Sequence, residues 1–226
     1  MNMCYKVFHI PGHGTTFKER SILASSIDLH LSKDFDRLDT ETIKVSNQEE
    51  FESAYQKNNL LKFNRRLQFG KTGIWASNLL AYVNFLKTDY DYLMLVEDDI
   101  SYSKDFTEKF IEYFNELPDD WELFSYFVPP DQYSRFQARL GTGNVVKAYQ
   151  DWSNLCYIIN KKTVEKILKD ISANGISLPL DWYIYKQPNF IKSYTLSPKA
   201  YKPCSLSGLE SIYKLKDEMI TLGGSM

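Results

Sequence analysis

The sequence predicts an α/β fold, a mixed and mostly parallel sheet flanked by helices. Strand-like segments alternate with segments of helical period through the first two thirds of the chain, the pattern that layered α/β domains require. Residues 92–96, Tyr-Leu-Met-Leu-Val, form a continuous apolar run of strand length, as suits a central strand covered on both faces. That run stops at Glu97-Asp98-Asp99, and sheets of this class hold ligands at the carboxyl ends of their strands.

Each element has a local reason. Residues 4–10 alternate and run into Pro11-Gly12-His13-Gly14, a strand closed by a tight turn. Residues 18–31 place Ile22, Leu23, Ile27 and Leu31 near helical spacing, for a helix packing back on that strand. Residues 42–45 read as a short strand, and residues 48–57 as a polar helix with Phe51 and Tyr55 four apart. Thr72 is placed to cap a helix whose inward positions are Trp75, Leu79, Leu80, Val83 and Leu86. After the 92–96 strand, residues 104–117 read as an amphipathic helix with Phe106, Phe110, Ile111 and Phe114 inward. Residues 123–128 form a second apolar strand closed by Pro129-Pro130, and residues 155–159 a third. A helix over 162–171 follows, with Val164, Ile167 and Leu168 facing in. From Leu178 the tail has weak periodicity until residues 209–215.

A length of 226 residues suits one domain. With 43% hydrophobic and 25% charged residues, disorder is excluded as the main state. Lys plus Arg number 27 against 29 Asp plus Glu, a balance that excludes a wholesale electrostatic grip on nucleic acid and leaves room only for a local basic patch. Sixteen Tyr, 14 Phe and 4 Trp serve a core, or a site that stacks bases or sugars. No run approaches the roughly 20 apolar residues of a membrane span. The first ten residues, with Lys6 inside an alternating stretch, do not read as a secretory signal. Cys4, Cys156 and Cys204 lie far apart and out of metal-ligand spacing; two could pair in an oxidising compartment, but they read first as isolated thiols of a cytoplasmic, intracellular protein, the host cytoplasm if the source is viral.

Along a strand, side chains alternate faces, so Glu97 and Asp99 are expected on one side and Asp98 on the other. Three carboxylates ending a buried strand repel one another and lose hydration, and a divalent cation relieves both problems. Mg²⁺ and Mn²⁺ take one or two carboxylates and fill their remaining positions with water and phosphate oxygens. Such a site suits a nucleoside diphosphate as leaving group. The plainer alternative is a solvated turn leading to the helix after Ser103.

Residues 71–106, KTGIWASNLLAYVNFLKTDYDYLMLVEDDISYSKDF, resemble glycosyltransferase family 25, which includes lipooligosaccharide and collagen galactosyltransferases. The family pattern is a Gly-Cys-x-x-Ser-His helix, a strand ending in Glu-Asp-Asp and a Ser-x-Asp-Phe helix start. The resemblance continues through Leu117-Pro118-Asp119-Asp120-Trp121-Glu122-Leu123, Tyr157-Ile158-Ile159-Asn160-Lys161-Lys162 and Leu178-Pro179-Leu180-Asp181, over roughly residues 65–190. It implies a GT-A fold over a single domain, with residues 1–100 as the nucleotide-sugar half and 101–226 as the acceptor half. It also implies Mn²⁺ or Mg²⁺ at the triplet and inverting transfer of a sugar, UDP-linked, to an acceptor hydroxyl of glycan or lipooligosaccharide type. By position, Asp99 becomes the direct metal ligand, with Glu97 and Asp98 holding the ribose and the metal-bound waters. Asp181 becomes the base that deprotonates the acceptor, with Asp151 the second candidate, although Asp181 equally reads as a cap for a helix starting at Trp182. The chain departs from the pattern at His9-Ile10-Pro11-Gly12-His13-Gly14, at Ser77-Asn78 in place of Ser-His, and at Lys71 in place of Glu.

Around these motifs, His9, Gly12, Thr15 and Arg20 border a turn where backbone amides and a guanidinium reach a phosphate, or which is simply a turn. Lys71 and Asn78 complete the expected donor set. Lys62, Arg65 and Arg66, interleaved with Phe63 and Phe69, form the most basic segment. It reads as an acceptor or phosphate patch, or as a solvated loop. The patch carries a second reading of the acceptor, a hydroxymethylated DNA base. A metal-dependent phosphodiesterase would need a further acidic cluster that the sequence lacks. A nucleotide- or sugar-binding module without catalysis is the remaining alternative.

Overall fold

The computed structural model describes residues 1–9, 15–44, 49–50, 69–127, 143–148, 155–186, 190–197 and 200–206; of residues 15–17 and 69–70, only the helical backbone is described. The expected helix over 48–57 lies outside these residues except at 49–50, which are helical, as does the periodic stretch 209–215.

The chain begins with strand β1 (Met3–Phe8) and helix α1 (Thr15–Leu31), which packs back on it. A two-residue strand β2 (Asp36–Arg37) pairs parallel with β1. Residues 42–44 are not a strand: after Leu38, whose amide donates to the Tyr5 carbonyl, and Thr40, whose carbonyl accepts from Lys6, the chain continues in irregular form. Helix α2 (Phe69–Phe85) starts three residues before Thr72, so Thr72 is a buried member of the helix and not its cap. Its buried face is Trp75, Asn78, Leu79, Tyr82 and Phe85; Leu80, Val83 and Leu86, expected inward, lie only partly buried.

Strand β3 (Tyr92–Glu97) pairs parallel with β1 and antiparallel with β7 (Cys156–Asn160). Leu93 and Leu95 face one apolar cluster with Trp75 and Val164, while Met94 and Val96 face another with Ile27 and Phe110. Both faces are thus dry, which explains the unbroken apolar run. Strand β4 (Ile100–Tyr102) leaves the sheet directly after the triplet and pairs antiparallel with β9 (Cys204–Leu206) in a separate ribbon. Helix α3 (Phe106–Phe114) buries Phe106, Phe110 and Tyr113, whereas Ile111 points outward, as does Ile22 on α1. Strands β5 (Leu123–Ser125), β6 (Val145–Lys147) and β8 (Ser193–Leu196) complete the sheet.

The seven-stranded order is β2-β1-β3-β7-β5-β8-β6, with β7 and β6 running against the other five. Helix α4 (Lys161–Asn174) is capped by Asn160, whose carboxamide oxygen accepts from the Thr163 amide at 2.9 Å, and it ends at Gly175, whose φ of 74° suits glycine. Short helix α5 (Leu180–Lys186) packs on α2 through Tyr183 and Trp75. Helices α2, α4 and α5 cover one face and α1 and α3 the other, a three-layer arrangement. No helix among the described residues is long and apolar enough to cross a membrane.

Candidate active site

The parallel register of β1 and β3 pairs Phe8 with Glu97, so His9 arrives beside Asp98. His9 Nδ1 lies 2.6 Å from Asp98 Oδ2, and its Nε2 lies 3.0 Å from Ser21 Oγ on α1. One turn of helix from the start of α1, Arg20 donates from Nη1 to Asp98 Oδ1 at 2.7 Å and from Nη2 to Asp99 Oδ2 at 2.9 Å. Arg20 and Asp98 are buried at 7% and 4% exposure, so this pairing is shielded from water. The expected alternation ends at Glu97: residues 98 and 99 form a turn, and Asp98 and Asp99 share one guanidinium in place of diverging.

Charge is crowded here. Burial first, then Asp99 and Asp98, push the Glu97 carboxyl up to about 8, with Arg20 and Lys71 opposing. Asp99 is also raised, chiefly by burial, against the pull of Arg20. Two buried atoms of the cluster have no hydrogen-bond partner, Asp99 Oδ1 and Arg20 Nε. Buried polar atoms of this kind are uncommon and costly, so each calls for an explanation.

A narrow cleft of about 60 Å³ opens against the cluster, between Glu97, Asp98, Arg20, Phe8 and the residues of α2 and 42–43 that face them. Ser77 builds its far wall: the hydroxyl accepts from the Ile43 amide at 2.8 Å and donates to the Ile43 carbonyl at 3.2 Å. The His9 amide donates to Thr42 Oγ1 at 3.3 Å, pinning the same segment from the other side. Asn78 lines the cleft, but its amide is engaged. Its Nδ2 donates to the Ile74 carbonyl, and its Oδ1 accepts from the Tyr157 hydroxyl at 2.5 Å, which in turn contacts Tyr82.

Asp181 opens α5, with Oδ1 accepting from the Trp182 amide at 3.0 Å. Burial raises its carboxyl, and the Lys71 charge lowers it. The Lys71 charge therefore acts in the same sense on Asp181 and on Glu97.

Of the residues singled out in the sequence, His9, Arg20, Asn78, Glu97, Asp98 and Asp99 come together, with Lys71 within electrostatic reach of Glu97 and, separately, of Asp181. Gly12, Asp151, Lys62, Arg65 and Arg66 lie outside the described residues, as does the side chain of Thr15. Sequence reasoning missed Thr42, Ile43, Ser77 and Tyr157. Only Ser77 carried a signal, as the serine retained in the motif beside Asn78.

Among the described residues no group of three or more His, Cys, Asp or Glu side chains is arranged to hold a metal ion. The donors still fit a hard divalent cation of modest demand: Asp99 Oδ1 is buried and without a partner, and Glu97 stands beside it. Mg²⁺ and Mn²⁺ are commonly held by one or two carboxylates, with water and phosphate supplying the rest.

No protein-family model and no curated protein matches the sequence. Among solved structures, a glycosyltransferase involved in glycosylation of the major capsid of PBCV-1 is similar at 13% identity and a TM-score of 0.51, over 97% of this chain and 98% of that one. A Drosophila β-1,4-galactosyltransferase 7 mutant in complex with manganese, UDP-Gal and xylobiose aligns at 12% identity and 0.46, over 95% and 73%. Mouse xyloside xylosyltransferase 1 aligns at 7% identity and 0.39, over 85% and 77%. The fold is that of the GT-A glycosyltransferases.

Proposed function

We propose that the chain is a glycosyltransferase that moves a sugar from a nucleoside-diphosphate donor, UDP-linked, to an acceptor hydroxyl of glycan type, with inversion. The observation that carries this reading is the partnerless, buried Asp99 Oδ1 next to Glu97 and Asp98, which line a cleft in a GT-A sheet. The order of motifs shared with glycosyltransferase family 25 supports it independently. Asp99 and Glu97 would hold Mn²⁺ or Mg²⁺, which supplies neutralisation of the charge growing on the diphosphate.

The protein's own residues do the rest. Asp98, with both oxygens engaged by His9 and Arg20, fixes the turn that carries Asp99. Asp181 is the base: it takes the acceptor hydroxyl's proton as that oxygen bonds to the anomeric carbon. The bond from that carbon to the phosphate oxygen breaks on the opposite face, and its electron pair leaves with the diphosphate. The Lys71 charge opposes the burial that raises the Asp181 carboxyl, and so favours its ionised form.

A thermal-shift panel of nucleoside diphosphates and nucleotide sugars, with and without Mn²⁺, tests the donor site. Stabilisation by a diphosphate that disappears on chelation is the expected result. A panel in which nothing stabilises the protein, or in which chelation changes nothing, ends the reading. Glycan acceptors set against hydroxymethylated DNA then assign the acceptor class.

A further inference from the structure

Resting on the donor-site reading above, we infer that Arg20 is a built-in rival of the divalent ion at Asp99, so that the ion binds firmly only together with the donor's diphosphate. The guanidinium is permanently charged, and it sits on the same carboxylate that offers Oδ1 to the metal. It has nowhere to retreat. Asp98 Oδ1 holds its other arm at 2.7 Å, Asp98 is itself held by His9, and the side chain is only 8% exposed. A dication at Asp99 Oδ1 therefore meets a fixed like charge across one carboxylate, in surroundings where water screens little. Arg20 already supplies part of the neutralisation that free carboxylates would seek from a metal.

A diphosphate changes the balance by bringing negative charge to the far side of the ion. Metal and nucleotide then favour each other, and the coupling is reciprocal. Arg20 also keeps Asp98 and Asp99 gathered before any ligand arrives, since one fork holds both. The residue acts through Asp99, as a positioning residue that sets the order of loading.

The test is an electron paramagnetic resonance titration of Mn²⁺ against the full chain, with and without UDP. It compares the unaltered protein with Arg20→Lys, Arg20→Met and the charge-balanced pair Arg20→Met with Asp98→Asn, each checked for folding by circular dichroism. The expected result is that UDP tightens Mn²⁺ binding by about tenfold or more in the unaltered protein. Arg20→Met then takes Mn²⁺ alone about tenfold more tightly and loses most of the coupling, while Arg20→Lys, which keeps the charge without the fork, falls between the two. If Arg20→Met leaves Asp98 too exposed electrostatically to fold, the paired variant carries the same expectation. Unchanged or weaker Mn²⁺ binding in the variants, with the coupling intact, overturns the rivalry while leaving the donor site standing. No Mn²⁺ binding in any protein, even with UDP, overturns both.

Discussion

The indole of Trp75 donates to the carbonyl of Leu178 at 2.7 Å, tying the second turn of α2 to the segment that delivers Asp181. Trp75 is fully buried and meets the Tyr183 ring edge-on at 5.2 Å. Trp75→Phe removes the donor, leaves a partly buried carbonyl without that partner and opens a small void, at a cost of about 1–3 kcal/mol. Thermal denaturation is expected to show the loss. Transferase activity should fall by more than the folded fraction does, because the start of α5 is no longer anchored.

The pH profile should report Asp181. Its carboxyl lies above the ordinary value because burial disfavours the charged form, and Lys71 works in the opposite sense. A base must be ionised, so activity falls as pH drops through that raised value, above 3.8. Lys71→Met removes the opposing charge, and the acid limb of kcat/KM should move to higher pH. The stability sign is the reverse: the buried carboxylate costs stability once pH rises above its ordinary value, and Asp181→Asn removes that cost. A limb that stays fixed in Lys71→Met would remove Asp181 from the role of base.

Breaking the buried pair from the other side should be severe. Asp98→Ala leaves Arg20 shielded from water with one arm unpaired, which costs about 3–5 kcal/mol when an ion pair is buried. For a chain of this size that corresponds to a fall of roughly 6–20 °C in Tm. Asp99→Ala should cost less, because its side chain is 17% exposed and Arg20 keeps Asp98. Calorimetry of both variants measures the difference, and equal losses would contradict the hierarchy.

All three cysteines are free and buried. Burial pushes the Cys4 thiol up to about 12 and raises Cys156, so neither is a thiolate near neutral pH. Native protein should stay inert to a chromogenic disulfide reagent at pH 8 and release three thiols only in denaturant.

How much of this was legible beforehand follows from the range of each signal. Strand β3 was plain because both faces are buried, and Glu97-Asp98-Asp99 was plain because charge next to such a run is conspicuous. The start of α2 was misplaced because Thr72, a good cap by type, is instead buried inside the helix. Residues 42–44 carry strand-forming side chains, yet the Ile43 amide is taken by the Ser77 hydroxyl and the His9 amide by the Thr42 side chain, so the segment is held without a ladder. Strands β6 and β9 are three residues long, too short for any period to register. The fork of Arg20 was out of reach altogether: the residue could be named as a cation near a turn, but a contact across 78 positions is a product of topology.

The ribbon of β4 and β9 has a bearing on biosynthesis. Ile100, next to Asp99, finds its partner in Leu206, roughly a hundred residues later. A chain still emerging from the ribosome can lay down β1, α1 and β3 well before that partner exists, since pairings so distant in sequence close late. The strand that leaves the acidic turn is thus braced late, and a translation product truncated before Cys204 would hold the carboxylates through His9 and Arg20 alone, without the ribbon beside them.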